Sequence, residues 1–286
     1  MTVRWVCATF PPMSKIETGT DELLATVEDG VVLLTLNRPE SRNALSDTLS
    51  PALRRIFAQL AESETARCVV LTGAGTAFCA GGDVKGMGDA QGARTDRPKT
   101  RQGLIEDLTQ RQQTLTGALY ALPQPTIAAL PGPAAGAGFS IALACDLRIA
   151  ARSAFMTTGF ARIGLSGDYG ASFFLTRLLG PSKAHELFFT GDRIDAETGV
   201  ALGLVNRVVD DAQLMDEALE WAHQIAAGPP IAYRHMKANL RRAQIDDLDQ
   251  CLAHEAEGII ACAQTEDHRE AVRAFVEKRP PRFQGR

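Results

Sequence analysis

The sequence predicts an α/β fold that gives way to helices towards the C-terminus. Three observations predict it: short apolar runs of strand length, segments with helical spacing between those runs, and a change to helices almost alone from about Ser172. Strands that alternate with helices favour right-handed βαβ crossovers. We therefore divide the chain into a flexible N-terminal tail over residues 1–20, an α/β core over residues 21–210 and a C-terminal helical region over residues 211–286.

The core begins with a predicted β-hairpin and a capped helix. The segment "ATVEDGVVLLTLNRP" contains a short strand, a turn at Asp29-Gly30 and a second strand that ends before Pro39. Ser46 and Asp47 then precede a run with helical spacing, so either residue is suited to cap the helix. The apolar residues of that helix are Leu49, Leu53, Ile56, Phe57 and Leu60.

Three further buried strands and one long helix complete the core. The strands are "RCVVLTGAG", "TIAALPG" and "DLRIAA", and the helix "RQGLIEDLTQRQQTLTGALYAL" precedes the second of them and ends at Pro123. After Ser172 only the segment "LVNRVV" predicts a strand. Four of the later helices are followed by a glycine in the position of a C-terminal cap, at Gly180, Gly191, Gly203 and Gly228.

Composition excludes several classes of function. The 286 residues are 45% hydrophobic and 22% charged, as in ordinary globular proteins. A formal net charge of −4 predicts no nucleic-acid partner, and no apolar run approaches the roughly 20 residues that a membrane span needs. The six cysteines form no C-x-x-C pair and no metal-ligand spacing with histidine, which predicts free thiols, no metal site and a cytoplasmic location.

Two glycine-rich segments each connect a predicted strand to the next element. They are "VVLTGAGTAFCAGGDVKGMG" and "PGPAAGAGFSIALACD". Free backbone N–H groups at a helix N-terminus attract an anion or a carbonyl oxygen, and residues without side chains let it come close. Neither segment carries the lysine of a P-loop, and the second lacks the third glycine of a dinucleotide fingerprint. The alternative is that these glycines only allow close packing of helix against strand.

Six motifs in register resemble the crotonase superfamily, the enoyl-CoA hydratases and isomerases. They are "LNRPESRNALS", "AFCAGGDVKGM", "PTIAALPGPAAGAGFSIALACDLRIAA", "FARIGLSGDYGASFFLTRLLG", "GLVNRVV" and "AFVEKRPPRF", and the likeness runs from about residue 21 to 284. The resemblance implies a crotonase-type spiral of ββα units with a helical C-terminal trimerisation region. It also implies an enzyme that takes an acyl-CoA thioester and assembles as a homotrimer or a dimer of trimers.

Carried over by position, the resemblance implies a backbone oxyanion hole made by Gly82 and Ala137. Two preorganised N–H donors would stabilise the charge on the oxygen of a thioester enolate. Arg42 and Lys85 match positions along the CoA groove, and Phe275 and Lys278 match positions that reach the CoA of a neighbouring subunit. The remaining substrate-binding positions are Ala80, Asp83, Val84, Ser140, Phe160 and Tyr169. No cofactor is implied, since coenzyme A is part of the substrate.

The chain departs from the family at the catalytic acids. Hydratases of the family hold water with two glutamates, but Ser140 and Phe160 occupy these positions here. The remaining carboxylate, Asp168, matches the acid that isomerase members use to move protons. Its alternative role is that of a turn or N-cap residue. An aspartate walled by Phe160 and Ala137 should have a raised pKa, because burial disfavours its charge.

We therefore expect double-bond isomerisation of an enoyl-CoA by a single aspartate. Two alternatives remain open: an enoyl-CoA hydratase with a non-standard set of acids, and a non-catalytic acyl-CoA-binding homologue. Asp146 and the carboxylate of Asp83 match structural positions, where turn or helix-end hydrogen bonds are expected. Tyr169 is suited either to orient Asp168 or the substrate, or to pack in the core.

Overall fold

A computed structural model describes residues 14–82, 98 and 100–286. Its main sheet has the order β1-β2-β3-β4-β5-β7-β10. The strands β1 to β3 pair antiparallel, and β3, β4, β5, β7 and β10 pair parallel. The strands are β1 (Ser14–Lys15), β2 (Leu23–Glu28), β3 (Val31–Leu36), β4 (Cys68–Gly73), β5 (Thr126–Leu130), β7 (Leu147–Ala151) and β10 (Arg207–Val209).

The predicted hairpin is confirmed at its turn. Asp29 and Gly30 have φ values of 50° and 78°, as a two-residue hairpin turn requires, and Glu28 pairs with Val31 across it. The prediction of a tail over residues 1–20 is wrong for its last part. Ser14–Lys15 pairs with β2, because the free edge of the hairpin offers unpaired backbone groups. Residues 1–13 lie outside the described residues.

The helices alternate with strands in the core and follow one another after β10. Ser46 caps the first turn of α1, since its hydroxyl accepts from the Leu49 amide at 2.8 Å. In α5, Gly180 at φ 76° breaks the helix where a cap was predicted. The helices are α1 (Leu49–Ala61), α2 (Arg101–Gln112), α3 (Ala118–Ala121), α4 (Ala137–Ala144), α5 (Ala171–Thr190), α6 (Ala196–Ala201), α7 (Leu214–Ala226), α8 (Pro230–Arg242), α9 (Leu248–Ala263) and α10 (Glu266–Glu277).

The hydrophobic core lies against the parallel strands. Every residue of β4 and β5 is buried, and α7 packs across both strands. The predicted long helix is α2 and α3 joined by a π-helical turn at Gln113–Gly117. None of the helices in the described part of the chain is long and apolar enough to cross a bilayer.

The topology brings the two glycine-rich segments to one edge of the sheet. Because β4 and β5 are parallel neighbours, the segments that follow them leave the sheet on the same side. The segment after β5 forms β6 (Ala134–Ala135) and then α4. A second sheet of order β6-β8-β9 stands beside it, with β8 (Phe155–Thr157) and β9 (Ile194–Asp195).

Candidate active site

The two glycine-rich segments lie in direct contact. Cys79 forms a parallel bridge with Ala134, and the Ala135 amide donates to the Cys79 carbonyl at 2.9 Å. A Cβ on Gly138 would stand 2.2 Å from that same carbonyl oxygen. The glycine at 138 therefore allows the helix to approach the strand, which is the packing role that the sequence offered as an alternative.

Two backbone amides lie at the junction of these segments. The Ala137 amide opens α4 and has no acceptor within the helix. Gly82 forms a parallel bridge with Leu45, whose amide donates to the Gly81 carbonyl at 2.8 Å. Among the residues that the structure describes, no acceptor takes a hydrogen bond from the Gly82 or the Ala137 amide. A Cβ built on Gly81 would lie 3.3 Å from the Ala137 nitrogen, so the two segments are close at this point.

Gly136 has a backbone conformation that suits glycine alone. Its φ of 53° with ψ of −125° would strain any residue with a Cβ. Its amide donates to the Thr157 carbonyl at 3.1 Å, so β8 holds the start of α4. The pair of unpaired amides is thus held by backbone contacts on both sides, and it is suited to bind one carbonyl oxygen or oxyanion.

Asp168 lies in a loop that two other elements hold. The loop residues on either side have positive φ: 104° at Gly167, 51° at Tyr169 and 83° at Gly170. The Tyr169 amide donates to Oε1 of Gln112 at 2.7 Å. The Ala171 amide donates to the Asp168 carbonyl at 3.2 Å, so the residue also lies at the first turn of α5.

The carboxyl group of Asp168 is largely buried, and few hydrogen bonds replace the water that it loses. Its Oδ1 atom is buried without a hydrogen-bond partner in the described structure. Burial raises the pKa of Asp168 to about 6, as the sequence predicts in direction. An N-cap role is not observed, because the cap position of α5 is Gly170 and no side chain accepts from the first turn. A carboxyl group with this pKa is suited to both take and return a proton near neutral pH.

Phe160 forms an apolar wall beside both features. Its ring stacks on Phe188 with centroids 6.1 Å apart and an interplanar angle of 17°. Ideal Cβ positions on Gly136 and Gly167 would each lie 3.6 Å from this ring. The ring therefore lies close to the start of α4 on one side and to the Asp168 loop on the other, as expected for one cause of the raised pKa.

Ser140 differs from its expected role as a substrate contact. It is fully buried, and its hydroxyl donates to the carbonyls of Gly136 at 3.2 Å and Asp168 at 3.0 Å. Because a hydroxyl has a single proton, these two carbonyls share it in a three-centre hydrogen bond, and no proton is left to donate to a substrate. The structure thus places Ser140 behind the site.

The other predicted positions are distributed unevenly. Arg42 is exposed, and its carbonyl accepts from the Ala80 amide at 2.9 Å, so Arg42 lies against the segment that leads to Gly82. The Tyr169 side chain is buried in the hydrophobic core. Phe275 is 85% exposed on α10, and in the described part of the chain neither it nor Lys278 forms a hydrogen bond or ring pair with the Asp168 loop. The remaining three, Asp83, Val84 and Lys85, lie outside the described residues.

Sequence reasoning missed two supporting side chains. Asn43 is buried at φ 56°; it accepts from the Arg38 amide at 2.8 Å and donates to the Ala77 carbonyl at 2.8 Å. It lies within a quoted motif, so an asparagine in a left-handed turn was a usable signal. Gln112 carries no such signal, since its partner Tyr169 is 57 positions away in sequence.

Asp146 has the structural role that the sequence predicts. Its carboxylate accepts from the amide and hydroxyl of Thr126, both at 2.8 Å, and forms an ion pair with the buried Lys237. The pKa of Lys237 is lowered by burial, which this ion pair only partly offsets.

Comparison with known proteins identifies the family. The model of the family described as enoyl-CoA hydratase/isomerase matches residues 26–286. The 1,2-epoxyphenylacetyl-CoA isomerase of Escherichia coli K12 is 36% identical over 92% of this chain and 98% of its own length. The short-chain-enoyl-CoA hydratase of Clostridium acetobutylicum is 34% identical over 88% of this chain and 93% of its own.

The fold agrees with the sequence relationship. The crystal structure of an enoyl-CoA hydratase from Polaromonas sp. JS666 superimposes with a TM-score of 0.82 and 35% identity, over 92% of this chain and 99% of that one. The expected crotonase-type α/β fold is thereby confirmed, while trimerisation stays a prediction. The chain belongs to the enoyl-CoA hydratase/isomerase family and is an enzyme of the crotonase type.

Proposed function

We propose that this enzyme isomerises a 3-enoyl-CoA to the conjugated 2-enoyl-CoA. Asp168 takes a proton from C2 of the acyl chain, and the charge moves to the thioester oxygen. The amides of Gly82 and Ala137 stabilise the resulting enolate, and Asp168 returns the proton to C4. Atoms balance without an external reactant, because the proton removed at one carbon is delivered at another.

The single observation that supports this proposal is the isolated carboxyl group of Asp168. The residue is half-buried in a loop that lies close to the Phe160 ring, and one of its carboxyl oxygens is buried without a partner. The hydratase glutamate positions carry Ser140 and Phe160. One carboxyl group is sufficient to move a proton between two carbons, whereas the family's hydratases use two to hold water. An isomerase among the relatives is consistent with this assignment.

The substrate spectrum of the purified enzyme tests the proposal. Conjugated 2-enoyl thioesters absorb in the ultraviolet, so isomerisation of a 3-enoyl-CoA raises the absorbance and hydration of a 2-enoyl-CoA lowers it. We expect turnover of 3-enoyl thioesters at ordinary enzyme rates of about 1–10³ s⁻¹ and hydration far below them. Fast hydration of crotonyl-CoA with slow isomerisation would instead identify a hydratase. Calorimetric binding of the thioesters with neither reaction would identify a non-catalytic binder.

The pH dependence should follow the ionisation of Asp168. Its pKa of about 6 is raised, and the base must be charged to accept a proton. We expect kcat/KM for isomerisation to rise with pH through about 6 and to level off above it. The profile is measured between pH 4.5 and 8.5, with circular dichroism at each pH as the control for folding. A rising limb centred near 4, the ordinary value for aspartate, would be inconsistent with a buried catalytic group.

Substrate contacts and assembly complete the proposal. We propose that the CoA moiety lies along Arg42 and Lys85, with Ala80, Asp83 and Val84 in the same groove. No further cofactor takes part, since the reaction has no net redox change.

A homotrimer or dimer of trimers would bring Phe275 and Lys278 to a neighbouring site. Large exposed apolar side chains on the last two helices support assembly: Leu248, Leu252, Ile259, Ile260, Val272, Phe275 and Val276. Analytical ultracentrifugation tests this, and a monomer at micromolar concentration would refute it. A cytoplasmic location also stays a prediction.

A further inference from the structure

Ser140 lies where two parts of the proposed site meet. It belongs to the first turn of α4 and is 0% exposed, and its single hydroxyl proton is shared between two backbone carbonyls of different elements. One acceptor is Gly136, at the start of the same helix, and the other is Asp168, in the loop before α5. Within the described part of the chain, no other hydrogen bond joins α4 to this loop, so the hydroxyl is the direct polar link between them.

The bond to Gly136 bears directly on the oxyanion hole. The Gly136 carbonyl and the Ala137 amide belong to the same peptide unit, which is trans. In a trans peptide the C=O and N–H bonds point in opposite directions. The carbonyl accepts from the Ser140 amide at 3.0 Å and from its hydroxyl at 3.2 Å, both on the helix side. These bonds therefore hold the Ala137 N–H pointing away from the helix.

The hydrogen bond to Asp168 fixes the backbone of this acid relative to the Gly136–Ala137 peptide. Its carbonyl accepts from the Ser140 hydroxyl at 3.0 Å and from the Ala171 amide at 3.2 Å. The Asp168 backbone is thereby held at a set distance from the peptide that supplies the Ala137 amide. The carboxyl group itself has an unpaired buried oxygen, so its position depends on how its backbone is held.

We infer that Ser140 is a positioning residue that couples the oxyanion hole to the proton-transferring aspartate. The inference rests on the proposed function. A proton shift next to a thioester needs the base at C2 and C4 while the carbonyl oxygen stays on its donors. A displacement of about 1 Å between such groups costs up to about 10²-fold in rate. Ser140 holds both by one hydroxyl, at the position where hydratases of the family carry a glutamate.

Three variants separate positioning from mere stability. S140A removes the hydroxyl, and S140T restores one at the same position. T72V is the matched control, because Thr72 is also buried and donates its hydroxyl to a backbone carbonyl, that of Ala129 at 2.9 Å, within the main sheet. Three experiments are carried out on each variant. They are the steady-state kinetics with a 3-enoyl-CoA, which give kcat and KM, the pH profile of kcat/KM, and the infrared carbonyl frequency of bound butyryl-CoA labelled with ¹³C at the carbonyl.

We expect S140A to lower kcat about 10- to 100-fold with little change in KM. Its carbonyl frequency should shift part of the way towards that of free thioester, because the Gly136 carbonyl keeps only the bond from the backbone amide of residue 140 and the Ala137 amide is held less firmly. Its rising pH limb should shift below about 6, since a loosened loop lets water reach Asp168. S140T should recover most of all three, and T72V should lower only the melting temperature.

Two results would overturn the inference. One is S140A with wild-type kcat, carbonyl frequency and pH limb, and a melting temperature lowered only as in T72V. The other is an increase in KM alone with an unchanged frequency, which would make Ser140 a substrate contact. Butyryl-CoA has no double bond to move, so the infrared measurement does not depend on isomerisation. A wild-type enzyme that polarises the butyryl-CoA carbonyl but does not isomerise 3-enoyl-CoA would refute the proposed function, and the test of Ser140 would still apply. A wild-type enzyme that does not polarise this carbonyl would refute the role of Ser140 at the oxyanion hole.

Discussion

Replacing Asp168 by asparagine should lower the isomerisation rate by about 10²- to 10⁴-fold, the usual contribution of a general acid–base group. The amide is close in shape to the carboxyl group but cannot accept the proton from C2. Because the same residue is proposed to return the proton at C4, both steps fail together. The measurement is kcat/KM for a 3-enoyl-CoA by ultraviolet absorbance, with crotonyl-CoA hydration assayed in parallel.

Stability provides the control for this variant. A carboxyl group with a raised folded-state pKa favours folding less as pH rises from about 4 to about 6, because the folded state binds the proton more tightly than the unfolded chain. We therefore expect the free energy of unfolding of D168N at pH 7.5 to exceed that of wild type by about 1–2 kcal/mol after allowance for partial exposure, and its melting temperature to be higher. This gain should vanish near pH 4. D216N, at an exposed aspartate on α7, should change neither property. Full activity in a folded D168N enzyme would refute the mechanism.

Substituting alanine for Gly138 should disrupt both stability and the oxyanion hole. The added Cβ would lie 2.2 Å from the Cys79 carbonyl oxygen and 2.7 Å from the Cys79 Cβ. The first neighbour is backbone, so the strand and α4 must separate by about 1 Å to reach ordinary contact. We expect a loss of at least about 3 kcal/mol in the free energy of unfolding. Any enzyme that still folds should lose about 10²- to 10³-fold in kcat, as when one oxyanion-hole donor is removed.

A second glycine provides the matched control. Gly117 has helical angles, φ −61° and ψ −44°, and an added Cβ would meet its nearest neighbours at 3.8 and 4.0 Å. G117A should therefore be neutral or stabilising by about 0.4–1 kcal/mol. Denaturant unfolding and the isomerase assay on both variants give the comparison. Equal stability and activity for G138A and G117A would show that Cys79 and α4 are not closely packed in solution.

Much of the fold could be predicted because its determinants are local. The Asp29-Gly30 turn follows from residues that tolerate positive φ, and the buried strands follow from short apolar runs. The break at Gly180 and the cap at Gly191 have the same origin. The pairing of Ser14–Lys15 with the hairpin edge was missed, because a two-residue strand has no pattern of its own and depends on the free edge beside it.

For the candidate site, the sequence alone determined which residues are candidates for catalysis. The motifs in register supplied Gly82, Ala137 and Asp168, and the departure from the hydratase pattern was read from Ser140 and Phe160. These predictions concern only which residue type stands at which position, and the amino-acid sequence contains that information completely.

Only the tertiary structure decided how those residues are used. It showed that position 138 requires glycine because the Cys79 backbone lies too close for a side chain, and that position 136 requires glycine because of its positive φ. It also placed the Ser140 hydroxyl on the Asp168 carbonyl and buried the carboxyl group that this loop carries. The physical reason is that hydrogen bonds and burial between segments far apart in the chain depend on packing geometry, which residue spacing along one sequence does not encode.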